Sequence, residues 1–302
     1  MSLLNKIVSG KKELPITMIL YGVPGIGKTT FAAGSDSPIF VTAEDIEEKD
    51  VPRFPKCKSY DEFISYLQTI RDEEHNFKTI VIDTIDSIEQ LLWRKIMDES
   101  KSKSMAVALG GYGKAYEKAQ HMFQEMVDDY LVPIRNNKGM NIIILAHTQK
   151  VKFEDPINFA TFDQFDLQLH KRARPIFTNW VSCVLFANYR VFRVDGKDGN
   201  QYAVGEGERL VYTQPKPAYE VVKNRFDLED ELPLSWTSFK EGVQAYYKKT
   251  DPMKTEKERL IDKANAMNLE DGTKKIVLDT IEKARTINDI TAIEKRMNQI
   301  GG

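Results

Sequence analysis

The sequence has no apolar run approaching the roughly 18 residues that a membrane-spanning helix needs, so no such span is expected. It has only two cysteines, Cys57 and Cys183, far apart and without metal-ligand spacing. That excludes a disulfide scaffold and fits free thiols in a reducing cytoplasm. Net charge is −2, from 43 basic and 45 acidic residues. No global basic field announces a polyanion, and any such site has to be local. The opening MSLLNKIVSGKKELP has neither the apolar core nor the cleavage site of a secretion signal. The expectation is an intracellular, cytoplasmic protein with no membrane association. Internal repeats and low-complexity tracts are also missing. What remains is an ordinary globular composition, 41% hydrophobic and 29% charged over 302 residues. That is room for one large α/β domain with an appendage, or for two domains.

Against this plain background one stretch stands out, ITMILYGVPGIGKTT at residues 16–30. A strand-like apolar run stops at Gly22, and Gly22-Val23-Pro24-Gly25-Ile26-Gly27-Lys28-Thr29 fits the phosphate-loop pattern G-x-x-x-x-G-K-[ST] at every fixed position. Thr29-Thr30-Phe31 then opens a helical pattern. Gly22, Gly25 and Gly27 permit positive φ, so that successive N–H groups turn inward around an anion. Lys28 is placed to reach β- and γ-phosphates, and the Thr29 hydroxyl to bind Mg²⁺. A nucleoside triphosphate site follows, built from residues 22–30 with ATP and Mg²⁺ as ligands.

Around the loop, strand and helix patterns alternate. PIFVTAE (38–44), KTIVID (78–83) and NIIILAH (141–147) read as buried strands, and YDEFISYLQTI, SIEQLLWRKIMDE and residues 114–134 read as helices. Ser59 and Glu62 form a capping box. This βαβ rhythm predicts an α/β fold with a mostly parallel central sheet and helices on both faces. After residue 180 the grammar changes. WVSCVLFANYRVFRV and QYAVG flank a turn at 195–200 and read as a late β-hairpin, and ERLVYTQ and YEVVKN continue strand-like. From Thr250 three short helical patterns follow, with capping signals at Thr255/Glu258 and Thr286/Asp289. A boundary is expected there, between a core at 1–249 and a small helical appendage at 250–302.

Asp83 ends the strand-like run TIVI, the position from which a carboxylate holds Mg²⁺ through water beside a phosphate loop. Asp86 reads as a helix N-terminal acid. Glu44 ends the next strand after the loop. Strand carboxyl ends line the ligand crevice of an open parallel sheet, so Glu44 is either the base that activates water or a solvated acid in an acidic loop. His147 and Gln149 close a further strand at the same end, placed to touch a γ-phosphate or to serve structure alone.

The order of these features resembles the RecA-type ATPase core, in particular the compact phage-encoded RecA-like ATPases of the Sak recombination group. The residues that carry the resemblance are GVPGIGKT (22–29), FVTAED, TIVID (78–83), NIIILAHTQ (141–149) and VVKNRFD (221–227). It implies a RecA-like fold over about residues 15–245, hydrolysis of ATP with Glu44 as the water-activating acid, and homo-oligomers with active sites at subunit interfaces. It makes Lys223 and Arg225 the cations supplied to a neighbouring subunit's nucleotide. Where RecA has an Asn-Gln pair this chain has Ala-His-Thr-Gln, so the phosphate sensor is either His147 or Gln149.

In that family two loops face single-stranded DNA. Here they are KSKSMAVALGGYGKAY (101–116) and residues 150–177, the second carrying Phe153, Phe159, Phe162 and Phe165, then Lys171, Arg172 and Arg174. Aromatics that stack on bases, with cations for phosphates, hold a single strand without reading its sequence. Interleaved acids, Glu154, Asp155, Asp163 and Asp166, speak against it, and the phenylalanines can equally pack a core or an interface. The expectation is a DNA-stimulated ATPase of phage-type recombination, strand annealing or replication. A helicase-type or loader motor is the alternative, and a small-molecule kinase is a more distant one. The C-terminal helices are expected to dock a protein partner or to pack on the core's flank.

Overall fold

A computed structural model describes residues 13–45, 50–154, 161–195, 201–205, 207–250, 252–267, 269–284 and 287–300. By its contacts, Leu14–Gly242 forms one compact unit, and the described residues from Val243 onward belong to a second.

In the first unit β1 (Thr17–Gly22) leads through the phosphate loop to α1 (Lys28–Ala33) and β2 (Pro38–Thr42). Then follow α2 (Tyr60–Asp72), β3 (Thr79–Asp83), α3 (Ile85–Glu99), α4 (Lys114–Glu125) and α5 (Val132–Asn137). Next come β4 (Asn141–Glu154), β5 (Thr161–Leu167), α6 (Arg174–Trp180) and β6 (Cys183–Tyr189). The short strands β7 (Phe192–Asp195), β8 (Gln201–Val204), β9 (Arg209–Tyr212), β10 (Lys223–Asn224) and β11 (Glu231–Pro233) precede α7 (Trp236–Thr250). The main sheet runs β11-β9-β6-β1-β4-β3-β2. From β6 to β2 every neighbouring pair is parallel, and β9 and β11 extend the β6 edge antiparallel. This is the expected α/β architecture. All six residues of β1 are buried, as a strand covered on both faces must be. Ile19, Tyr21, Val41, Ile82, Ile144 and Phe186 point into one core with α2, α3 and α4. Phe31 of α1 meets Trp236 and Phe239 of α7 at ring-centroid distances of 5.9 and 6.1 Å.

Local rules account for the element ends. Ser59 Oγ accepts the Glu62 N–H at 3.1 Å, whereas the Glu62 carboxylate accepts from Lys58 rather than from Ser59 itself. The helix read over 114–134 is continuous to Asn137 but turns π-helical over Met126–Leu131. Pro133 has no N–H to give back along the chain. The carbonyl of Asp129, four residues before it, takes the Arg71 guanidinium at 3.0 Å instead.

Three expectations need correction. Residues 150–177 are not a long loop. β4 runs on to Glu154 and pairs antiparallel with β5 from Thr148↔Leu167 to Glu154↔Thr161, forming a hairpin that leads into α6. The signal was present, since half-buried Val151 and Phe153 alternate with exposed Lys150, Lys152 and Glu154. YEVVKN keeps only two strand residues, Lys223 and Asn224. Thr255 caps nothing, because α8 (Pro252–Ala266) starts three residues earlier and the Thr255 hydroxyl donates to the Lys248 carbonyl at 3.1 Å. The late hairpin is present as the antiparallel pair β7–β8. Its turn at 196–200, Thr286 and Phe159 lie outside the described residues.

In the second unit α8, α9 (Asp271–Lys283) and α10 (Ile287–Ile300) share a small core of their own, centred on Leu260, Ala264, Ile281, Ile290 and Met297. Arg259 and Lys263 pair with Glu294 across it. Both cysteines are free and buried. Among the described residues no helix is long and apolar enough to cross a membrane.

Candidate active site

The carboxyl ends of β1 to β4 and β6 meet at one edge of the sheet, and the phosphate loop lies there. Gly22 sits in line with His147 of β4 on one side and Ala187 of β6 on the other. A Cβ on Gly22 would stand 2.4 Å from the Ala187 carbonyl oxygen, so the reason for glycine here is close approach. Gly25 and Gly27 have the expected positive φ, 74° and 112°. The loop turns Lys28 inward, where it is buried and its ammonium donates to the carbonyls of Gly22 at 3.1 Å and Val23 at 3.4 Å. Burial lowers the Lys28 pKa, and Asp83, Asp86 and Glu44 oppose that shift.

The Thr29 hydroxyl donates to Asp83 Oδ2 at 2.9 Å. Asp83 is buried, which pushes its carboxyl up to about 6; Glu44 adds to the shift, while the Thr29 hydrogen bond, Lys28 and His147 oppose it. The pair presents hard oxygen donors in the form that suits Mg²⁺. The peptide bond from Asp83 to Thr84 is cis.

Glu44 faces this cluster. Its N–H donates to the Thr42 hydroxyl at 2.9 Å, and its Oε1 accepts from Thr84 Oγ1 at 2.6 Å and from Ser87 Oγ. One oxygen is thus anchored twice. Among the described residues nothing holds Oε2. His147 is fixed at two points by Asp86, whose Oδ1 takes its backbone N–H at 2.9 Å and whose Oδ2 takes Nδ1 at 2.8 Å. That hydrogen bond is the main reason the His147 pKa rises. With Nδ1 committed to a carboxylate, Nε2 is the free ring atom. Nδ1 of His147 is 3.9 Å from Glu44 Oε1. Glu44, Asp86 and His147 bring ligand atoms within 4.8 Å of one another, but these hydrogen bonds already account for the closeness, and we assign them no metal.

Lys28, Thr29, Glu44, Asp83 and His147 therefore come together. Gln149, two residues along β4, points away from them. Its Nε2 donates to the Leu167 carbonyl at 3.3 Å, and its side chain lines an adjoining cleft. Lys223 and Arg225 are elsewhere. β10 pairs with Cys183 and Val184 at the start of β6, the end of the sheet opposite the loop. Lys223 is also not the free cation expected. Its Nζ donates to the carbonyls of Thr178, Asn179 and Val181 at 2.9, 2.8 and 2.6 Å, capping the end of α6. Arg225 is exposed. Asp86 is the residue that sequence reasoning undervalued: it lies in the first turn of α3 as expected, but its partner His147 is distant in sequence.

The adjoining cleft, about 430 Å³, is lined by Asp86, Glu89, Trp93, Gln149, His170 and Arg174 among others. Here the two candidate DNA segments meet. His170 from the second stacks on Tyr116 from the end of the first, with centroids 4.4 Å apart and planes 7° from parallel, and Trp93 stands edge-on to both. Arg174 is held by Asp166 at 2.8 Å, so it is not a free phosphate ligand, and Phe165 packs on Phe186 in the core. Phe153 and Phe162 pair across the hairpin at 5.4 Å. In the first segment Tyr112 is 98% exposed and Leu109 39%, both at positive φ (52° and 55°).

Comparison with known proteins gives one family. A family model described as an AAA domain matches residues 14–226. Among solved structures, the flagellar accessory protein FlaH from Methanocaldococcus jannaschii aligns at 11% identity over 76% of this chain and 88% of that one, with a TM-score of 0.35. No curated protein matches the chain.

Proposed function

Since the chain belongs to the AAA domain family of P-loop ATPases, we propose that it hydrolyses ATP with Mg²⁺ and that single-stranded DNA in the cleft beside the active site stimulates the reaction. Thr29 and Asp83 would hold Mg²⁺, which would neutralise charge on the β- and γ-phosphates. Lys28 binds the same phosphates. Glu44 takes the proton of the attacking water on Oε2, since its Oε1 is occupied by Thr84 and Ser87. His147 presents Nε2 to the γ-phosphate, held in orientation by Asp86. Arg225, exposed on an edge segment, is the cation offered to a neighbouring copy's site in a homo-oligomer.

The observation that carries the DNA reading is the position of Asp86. The same carboxylate that holds His147 lines the cleft where the 101–116 and 168–174 segments converge. The cleft offers aromatic faces, three glutamines and Lys171, the equipment of a single-strand site that tolerates any sequence. Tyr112, in the first of these segments, adds an exposed ring. The proposed role in phage-type recombination, annealing or replication rests on the motif order shared with compact RecA-like ATPases.

The test is ATP turnover with and without single-stranded DNA, together with solution size in a non-hydrolysable ATP analogue. DNA should raise turnover of the wild type, and Tyr112→Ala should lose that stimulation while keeping basal turnover. Equal turnover with and without DNA, at DNA concentrations that saturate any binding, would remove the DNA role and leave the ATPase.

A further inference from the structure

The carboxylates and the imidazole that face the phosphate loop lie on one side of β1. In the sheet, β4, β3 and β2 stand on that side and carry His147, Asp83 and the segment leading to Glu44. On the other side stand β6, β9 and β11, and a cation there has no role yet. Arg209 is the first residue of β9 and is exposed. Its Nη1 lies 3.3 Å from the point a Cβ on Gly27 would occupy, and Leu234 Cδ2 lies 3.6 Å from the same point.

The backbone holds both residues there. Arg209 pairs with Tyr189 of β6, two residues beyond the Ala187 that pairs with Gly22, so it rises just above the level of the loop. The Leu234 N–H donates to the Arg209 carbonyl at 3.1 Å, which carries the leucine to the same place. Arg209 also differs from its neighbour in charge balance. Arg190 is matched by Glu208 at 3.0 Å and Glu231 at 3.2 Å. Among the described residues no carboxylate is within ion-pair distance of Arg209. A guanidinium standing at the phosphate loop, with no acid paired to it among the described residues, is available to an anion bound in that loop.

The direction of the bound nucleotide says which part of it Arg209 meets. The γ-phosphate has to lie toward Glu44, Asp83 and His147, where the water-activating group is. A triphosphate threaded through the loop then runs its α-phosphate and nucleoside the opposite way, toward β6 and β9. We infer that Arg209 is a nucleotide-binding residue of this same chain, pairing its guanidinium with the α-phosphate while the Leu234 side chain lies against the nucleoside. The inference rests on the phosphate-loop reading above. A planar guanidinium takes two phosphate oxygens at once, which an ammonium cannot do. The α-phosphate is common to ATP and ADP, so Arg209 acts equally on both, unlike every group at the γ end.

The experiment is titration of ADP and of ATP, each with Mg²⁺, into the full chain as wild type, Arg209→Ala, Arg209→Lys and Glu44→Gln. Arg209→Ala should weaken ADP and ATP by the same factor, about 10-fold or more, the scale of a lost charged hydrogen bond. Arg209→Lys should recover part of it, and Glu44→Gln should leave ADP affinity unchanged. Arg209 is exposed, and an unchanged thermal midpoint shows that a loss is not unfolding. Wild-type ADP affinity in Arg209→Ala overturns the inference and leaves the phosphate loop standing. Weakened ATP with unaffected ADP also overturns it, because Arg209 would then serve the γ end. A wild type that binds neither nucleotide defeats the phosphate-loop reading and this inference with it.

Discussion

Single carboxylates in this site differ mainly in how water reaches them, and two can be tested by amide replacement. Glu44→Gln keeps the anchoring to Thr84 and Ser87 through its amide oxygen but cannot take a proton. ATP affinity should hold while turnover falls by about 10²-fold or more, measured as single-turnover hydrolysis beside a binding titration. Turnover near wild type would make Glu44 an acid of the rim. Glu89 is the second case. It is buried and takes the His170 N–H on both oxygens at 3.1 and 3.2 Å, and burial pushes its carboxyl up to about 7 while Arg174 and the His170 hydrogen bond oppose the shift. An acid whose pKa is higher folded than unfolded binds more protons when folded, so its contribution to stability declines as pH rises. The decline falls between the ordinary glutamate value, about 4.3, and about 7, and the cost is fully present above that window. Glu89→Gln should therefore gain on the wild type between pH 5 and pH 8, by on the order of 2 kcal/mol in urea melts. A constant difference across that range would show that Glu89 ionises normally.

At the scale of elements, the legible parts were those specified within a few residues. The phosphate loop, the buried strands and the cap of α2 are written in spacing and apolar runs, and they stand where the sequence put them. Asp86 with His147, and Arg209 with Gly27, are brought together only by strand order, so no local pattern announced them. The β4–β5 hairpin lay between these cases: it has a period of two, but the resemblance placed a DNA-facing loop there. VVKNR shows how one motif divides. Lys223 serves α6, satisfying three carbonyls that would otherwise face the buried end of that helix. Lys223→Met should lower stability by about 1–3 kcal/mol, with hydrolysis by the remaining folded protein unchanged. Arg225→Ala should leave the thermal midpoint in place, bind ATP and hydrolyse it poorly. Mixing it with Glu44→Gln pairs an intact acid with an intact cation and should restore part of the activity. Mixed oligomers that stay inactive would end the shared-site model.

On the scale of the whole chain, the two compact units make separate demands. The first contains the sheet and every residue of the candidate site, and the second has its own small apolar cluster. A chain ending at Thr250 should fold cooperatively and bind ATP like the full protein, as read by a thermal melt and a nucleotide titration. Aggregation of that fragment would make the C-terminal helices part of the core's folding unit. The shared carboxylate of Asp86 has a consequence that does not depend on any rate. Were ATP and a single strand to bind as proposed, any coupling between them through this group would be reciprocal. Whatever factor a bound strand adds to the affinity for ATP, ATP must add to the affinity for the strand, and hydrolysis to ADP withdraws it. On the proposed function, the Asp86 carboxylate that holds His147 and lines the cleft would thus set when the strand is let go.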